Sequence, residues 1–165
     1  MAAPLWTHQG ERYGDDISYQ RAAAWLNDGP VEDWGGGPGY ARRYFTHGYT
    51  LVDGTPGYGA DIVIDLVGYR SHVHGILLRH VLEHNLQWVT ILANALASCQ
   101  KLVLVVFTPF SDLTHVITWN ENVVPRVPDI SFRQDDLTAM FNQWQSETFK
   151  SATQYGEETI FYVRT

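Results

Sequence analysis

The residues of this chain that could do chemistry fall into three short groups. The first is Val31-Glu32-Asp33-Trp34-Gly35-Gly36-Gly37-Pro38-Gly39, which reads as a short strand with an acidic end running into a glycine-rich turn. Alternate glycines allow positive φ and remove side chains that would block a ligand. A helix expected over Tyr40-Ala41-Arg42-Arg43-Tyr44-Phe45 would add unpaired N–H groups facing an electron-rich partner. The second group is a pair of carboxylates, Asp53 and Asp65, each at the end of a predicted strand. The third is Arg79-His80-Val81-Leu82-Glu83-His84, also at a strand end. Imidazoles titrate near working pH and suit proton transfer.

A nucleotide-like cofactor fits the glycine turn, and the spacing narrows which one. A dinucleotide fingerprint needs glycine at residue 40, where Tyr40 stands. A P-loop needs Gly-Lys-Ser/Thr at the end of the turn, and that is missing. The acidic residue followed by G-x-G-x-G, here Asp33, Gly35, Gly37 and Gly39, resembles the first motif of class I S-adenosylmethionine-dependent methyltransferases. The bland alternative is a plain turn. A strand-end acid can accept two hydrogen bonds from ribose hydroxyls, and Asp53 holds that position, as in the family. The resemblance puts Asp65 near the adenine amine, and the strand end at Arg79 beside the methionine part of the cofactor. The alternatives are an Asp-Gly turn for Asp53 and a loop cap for Asp65.

The segment His80-Val81-Leu82-Glu83-His84 resembles the H-V-L-E-H sequence after the fourth strand in many small-molecule methyltransferases. That likeness implies substrate positioning or proton removal by His80, Glu83 and His84. The same letters spell an inverted zinc-protease motif, which would use His80 and His84 as ligands and Glu83 as base. It would need a continuous helix and a third ligand from His72, His74 or His115, and no metal is expected. Some methyltransferases hold a divalent metal through E-x-x-E-H at this place, but His80 replaces the first glutamate. Packing and capping remain the structural alternative for both histidines.

The elements that must position these groups follow from periodicity and punctuation. A helix is expected over Ile17–Asn27, capped by Asp15, Asp16 or Ser18 and stopped by Gly29-Pro30. Strands are expected at Val31–Trp34, Tyr49–Asp53, Ala60–Asp65, Gly75–His80 and Lys101–Phe107, with a helix over Glu83–Ser98. Further on come a strand at Asp129–Arg133, a helix from Asp135 or Asp136 to about Phe149, a Tyr155-Gly156 turn and a last strand at Thr159–Val163. Alternating strands and helices imply an α/β fold, a doubly wound, mostly parallel sheet. The resemblance makes it Rossmann-like with an antiparallel last strand. The crossovers after strands 2 and 3 are too short for the usual helices. The resemblance also makes the irregular stretch Leu113–Pro128 and the N-terminal segment the substrate lid, with Tyr13, Tyr19, Trp34 and Trp119 as lining candidates.

Composition sets the limits. A chain of 165 residues fits one domain, 1–165, with a full core. The net charge of −7 disfavours a nucleic-acid backbone as partner. A lone cysteine, Cys99, rules out a disulfide framework or cysteine zinc cluster. Met1–His8 has neither a basic nor an apolar leader region, so no secretory signal is expected there, and no apolar run reaches membrane-spanning length. The expected protein is a cytoplasmic enzyme that uses S-adenosylmethionine to methylate an oxygen or nitrogen of a small molecule. A non-catalytic module that keeps the fold and binds the cofactor or a partner is the competing class.

Overall fold

The computed structural model describes residues 16–153 and 156–165. The chain runs α1 (Ile17–Leu26), β1 (Val31–Trp34), β2 (Tyr49–Asp53), β3 (Ile62–Val63), β4 (Val73–Arg79), α2 (Trp88–Ser98) and β5 (Cys99–Val106). It continues with β6 (His115–Asn120), β7 (Val127–Ser131), α3 (Gln134–Ala139), β8 (Gln145–Thr153) and β9 (Gly156–Arg164). Seven strands form one sheet in the order β3-β2-β1-β4-β5-β9-β8. The first five are parallel, and β9 runs antiparallel to both neighbours. The order reverses between β1 and β4, so the crevice at their carboxyl ends is where a ligand is expected. Asp15, Tyr13 and Tyr155 lie outside the described residues.

Both faces of the sheet are covered, which explains the unbroken apolar runs of β4 and β5. Ile76, Leu78, Leu102 and Leu104 turn to one side and pack with α2 and with Phe141 beyond α3. Leu77, Val103 and Val105 turn to the other and meet Tyr19, Ala22 and Leu26 of α1. No helix among the described residues is long and apolar enough to cross a membrane.

The shortened crossovers are present. Residues 54–61 carry only a 3₁₀ turn at Pro56–Tyr58, and residues 64–72 form a loop. A loop lying on the core must find partners for its backbone polar groups, and α2 supplies them. The Asn94 amide donates to the carbonyls of Leu66 (3.1 Å) and Val67 (2.9 Å), and its oxygen accepts from Arg70 Nε (3.0 Å). Ser98 Oγ accepts from the Ser71 N–H at 3.0 Å.

Four sequence expectations need correction. The helix after the glycine turn is one 3₁₀ turn, Tyr40–Tyr44. The helix expected over Glu83–Ser98 splits into a 3₁₀ turn, Leu82–His84, and α2, with Asn85 extended between them. Leu113–Pro128 is not irregular: with the strand expected after it, it builds the β6–β7 hairpin outside the main sheet. The last helix stops at Ala139, and residues up to Thr153 form β8 instead. There the half-buried Phe149 and buried Ser151 alternate with exposed residues, a period of two that outweighs the helical spacing before it.

Candidate functional site

β1 delivers the chain into a loop with Gly35, Gly37 and Gly39 at φ 71°, 55° and 78°. Two of these glycines serve different ends. A Cβ at Gly35 would stand 2.6 Å from Val81 Cγ2, so this glycine lets the loop close on the segment after β4. A Cβ at Gly37 would meet nothing nearer than Tyr58 Cε2 at 3.9 Å, because that side opens into a cavity. Asp53, at the end of β2, fixes the corner: Oδ2 accepts from Gly37 N–H at 2.9 Å and Oδ1 from Thr55 N–H at 2.8 Å. Its side chain is buried and still reaches the cavity wall.

The cavity, about 450 Å³, lies across the carboxyl ends of β1, β2 and β4. Of the residues singled out by sequence, Asp33, Gly35, Gly37, Asp53, Asp65, Arg79, His80 and His84 line it. Gly39 and Glu83 do not. Asp33 is buried with the Tyr49 hydroxyl donating to its Oδ2. Burial pushes its carboxyl up to about 6, against the Tyr49 bond and the Arg79 charge. Asp65 is exposed at the rim, and its Oδ1 caps the Val67 N–H at 2.9 Å. Beside it Tyr58, Ile64 and Leu66 give that end of the cavity apolar walls.

The middle of the wall is a buried charge network. Arg79 donates from Nε to Ser18 Oγ (2.8 Å), from Nη1 to the Tyr19 hydroxyl (3.1 Å) and from Nη2 to Glu158 Oε1 (2.8 Å). The same Glu158 oxygen lies 2.7 Å from His80 Nε2. Burial and the Arg79 charge push His80 down to about 4, so the ring is neutral. Burial opposes ionisation of Glu158, but His80 and Arg79 hold its carboxyl below the usual range. His80 takes φ 56°, a left-handed conformation uncommon outside glycine, where the chain turns from β4 into the next turn.

Glu83 and His84 part company. Glu83 is fully buried, its Oε1 accepting from Phe107 N–H at 2.7 Å, and burial pushes its carboxyl up to about 7. It clamps the chain leaving β5. His84 stays at the cavity, with Nδ1 3.1 Å from Asp129 Oδ1 and 3.1 Å from the Pro128 carbonyl oxygen. Burial works against its charge, yet Asp129, Glu83 and the Pro128 carbonyl together raise its pKa above the ordinary value. The two histidines thus sit on different carboxylates. Of the possible third ligands, His74 is paired with Asp28, and His115 Nδ1 meets the Leu113 carbonyl. Among the described residues no group of His, Cys, Asp and Glu is arranged to hold a metal ion.

The β6–β7 hairpin roofs the far end, contributing Asn120, Val123, Pro125, Val127 and Asp129. Buried hydroxyls pin it to the loop after β5: Thr108 donates to the Ile130 carbonyl (2.7 Å) and Ser131 to the Pro109 carbonyl (2.6 Å). Of the expected lid aromatics Tyr19 lines the cavity, whereas Trp34 is in the core. Trp119 lies outside the wall under Arg126, 4.7 Å from the ring centroid. Tyr13 is outside the described residues. Sequence reasoning missed Tyr58, Phe107, Asp129 and Glu158. The alternation of Glu158 with Ile160 along β9 is the one local signal that it faces inward.

No protein-family model matches the chain, and no curated protein matches it by sequence. Solved structures do match. The N-terminal domain of EvdMO1, crystallised in the presence of S-adenosylhomocysteine and D-fucose, is 12% identical with a TM-score of 0.68, over 96% of this chain and 89% of that one. Magnesium protoporphyrin IX methyltransferase from Synechocystis PCC 6803, with bound S-adenosylmethionine, is 15% identical at 0.63, over 90% and 81%. A putative S-adenosylmethionine-dependent methyltransferase from Listeria monocytogenes is 7% identical at 0.65, over 92% and 99%. With its sheet order, reversed β9 and glycine loop after β1, this chain has the class I S-adenosylmethionine-dependent methyltransferase fold.

Proposed function

We propose that the protein binds S-adenosylmethionine in this cavity and transfers its methyl group to a small molecule. One observation carries the reading: Gly37 and Asp53 form a braced corner that opens into the cavity at the carboxyl end of the sheet. The residues fit the cofactor. A carboxylate offers about four acceptor sites; the N–H groups of Gly37 and Thr55 use two at Asp53, leaving two for ribose hydroxyls. Tyr58, Ile64 and Leu66 supply apolar faces for the adenine, and Asp65 an acceptor for its amine. Asp33 offers a carboxylate to an ammonium at the end suited to an amino acid, beside Arg79. The volume is at the small end for such sites, so the acceptor is small or protrudes.

The bound cofactor supplies an activated methyl on sulfonium. The chain's own contribution is alignment and proton handling, and alignment alone can account for much of the acceleration of an in-line displacement. The roof covers the acceptor end of the cavity, and His84 is the proton-moving side chain there. Isothermal calorimetry tests the reading: S-adenosylmethionine and S-adenosylhomocysteine bind, NAD does not, and Gly37→Val abolishes binding while the fold survives. Undiminished affinity in that variant, or NAD binding in its place, refutes it.

A further inference from the structure

The roof contributes more than cover. We propose that Asp129 and His84 form a proton-accepting pair that fits the acceptor end to a neutral, hydroxyl-bearing molecule; this rests on the methyl-transfer reading above. The pair joins two elements far apart in sequence, β7 of the hairpin and the turn after β4, and both side chains remain about a quarter exposed, at 25% and 24%, on the cavity wall. Asp129 Oδ1 and the Pro128 carbonyl oxygen both lie 3.1 Å from Nδ1, which fixes the proton there and leaves Nε2 as the acceptor nitrogen. Of the other two proton-moving side chains in this segment, His80 has its Nε2 against Glu158, and Glu83 is off the wall on the Phe107 amide.

The surroundings select the acceptor. Asp129, Asn85 and Asn120 give this end acidic and amide character, while Val123, Pro125 and Phe107 give it apolar surface. Among the described residues the cations on the cavity wall are Arg79, paired with Glu158, and His84, paired with Asp129. A carboxylate or phosphate acceptor would meet charge already neutralised and a net acidic wall. A carboxylate would also need no base. A neutral hydroxyl does, because it ionises far above working pH. The acceptor hydroxyl gives its proton to His84 Nε2 as its oxygen bonds to the methyl carbon. The C–S electron pair stays on sulfur, S-adenosylhomocysteine leaves as a neutral thioether, and His84 then returns the proton to solvent.

The groups that bear on His84 are Asp129 from β7, Glu83 from its own turn and His80 from the end of β4; Phe107 lies 5.5 Å away, ring to ring. The test therefore isolates Asp129. The His84 ring is titrated by nuclear magnetic resonance in the full chain saturated with S-adenosylhomocysteine, wild type against Asp129→Asn. The variant should show His84 proton affinity at least tenfold lower, with S-adenosylhomocysteine affinity within threefold of wild type. Benzyl alcohol should shift the side-chain amides of Asn85 and Asn120, and benzoate at equal concentration should do so at least fivefold less. An unmoved His84 titration, a parallel loss of S-adenosylhomocysteine affinity in the variant, or benzoate binding as well as the alcohol overturns the proposal. Failure of the wild-type protein to bind S-adenosylhomocysteine removes the methyl-transfer reading, and this acceptor with it.

Discussion

Asp53 is where stability and the proposed ligand binding meet, and substitution there separates the two. In Asp53→Ala the N–H groups of Gly37 and Thr55 both lose their acceptor. A buried donor left unsatisfied costs about 1–3 kcal/mol. Thr55 N–H is buried and bears the full cost, whereas water from the cavity can relieve Gly37. The sum is about 2–4 kcal/mol, which lowers Tm by roughly 5–15 °C in a domain of this size. The proposed ribose bonds are lost as well, weakening S-adenosylhomocysteine by about 2–4 kcal/mol, a factor of roughly 30–1,000. Asp53→Asn is the decisive variant. Its Oδ1 keeps the short turn to Thr55, so roughly half the stability returns, but its NH₂ cannot accept from Gly37 or from a hydroxyl. Thermal denaturation and calorimetry on both variants are the measurements. If Asp53→Asn binds S-adenosylhomocysteine as wild type does while its Tm falls, Asp53 is a brace only. An unchanged Tm in Asp53→Ala refutes the brace.

Glu83 has its folded pKa raised from 4.5 to about 7, so its contribution is fully present below about pH 4.5 and is lost as pH rises through 7. Unfolding free energies from urea titration at pH 5 and pH 8 should therefore differ less in Glu83→Gln than in wild type, by about 1–3 kcal/mol; an equal difference refutes the assignment. Asn94→Ala removes the anchor of loop 64–72 and should cost about 2–4 kcal/mol, with faster amide exchange confined to that loop and its contacts. Gly35→Ala should destabilise the fold through the Val81 contact and left-handed strain, whereas Gly37→Ala bears only the strain, about 1–2 kcal/mol. Equal Tm losses in the two variants would contradict that division.

The parts of the site legible in the sequence are those whose requirement is local. A loop that must take positive φ at three alternate residues shows it as glycine, and a strand-end carboxylate before a turn shows itself as Asp53-Gly54. The unseen parts depend on distant partners. Glu158 meets Arg79 across 79 positions, and Asp129 reaches His84 only because β6 and β7 leave the main sheet to form a roof. The C-terminal region misleads for a related reason: Leu137 and Phe141 keep helical spacing, but β9 offers the following residues a full antiparallel partner from Gln145 to Thr153.

The His-x-x-Glu-His segment shows where spacing arguments stop. Positions i and i+4 share a face only inside one continuous helix. Here His80 follows β4 at φ 56° and Glu83-His84 lie in a 3₁₀ turn, so the three side chains disperse. His80 goes to Glu158, Glu83 into the core under Phe107, and His84 to Asp129. The break in the backbone separates side chains that a single helix would bring to one face. One helix would bring two imidazoles to a shared point, as a metal requires. A strand end followed by a tight turn instead gives each imidazole its own carboxylate: His80 is pushed down to about 4 and stays neutral in the network that holds Arg79, while His84 is raised beside the acceptor end. Two histidines four residues apart in sequence therefore carry opposite pKa shifts, which is why the proton-accepting role is proposed for His84 and not for His80.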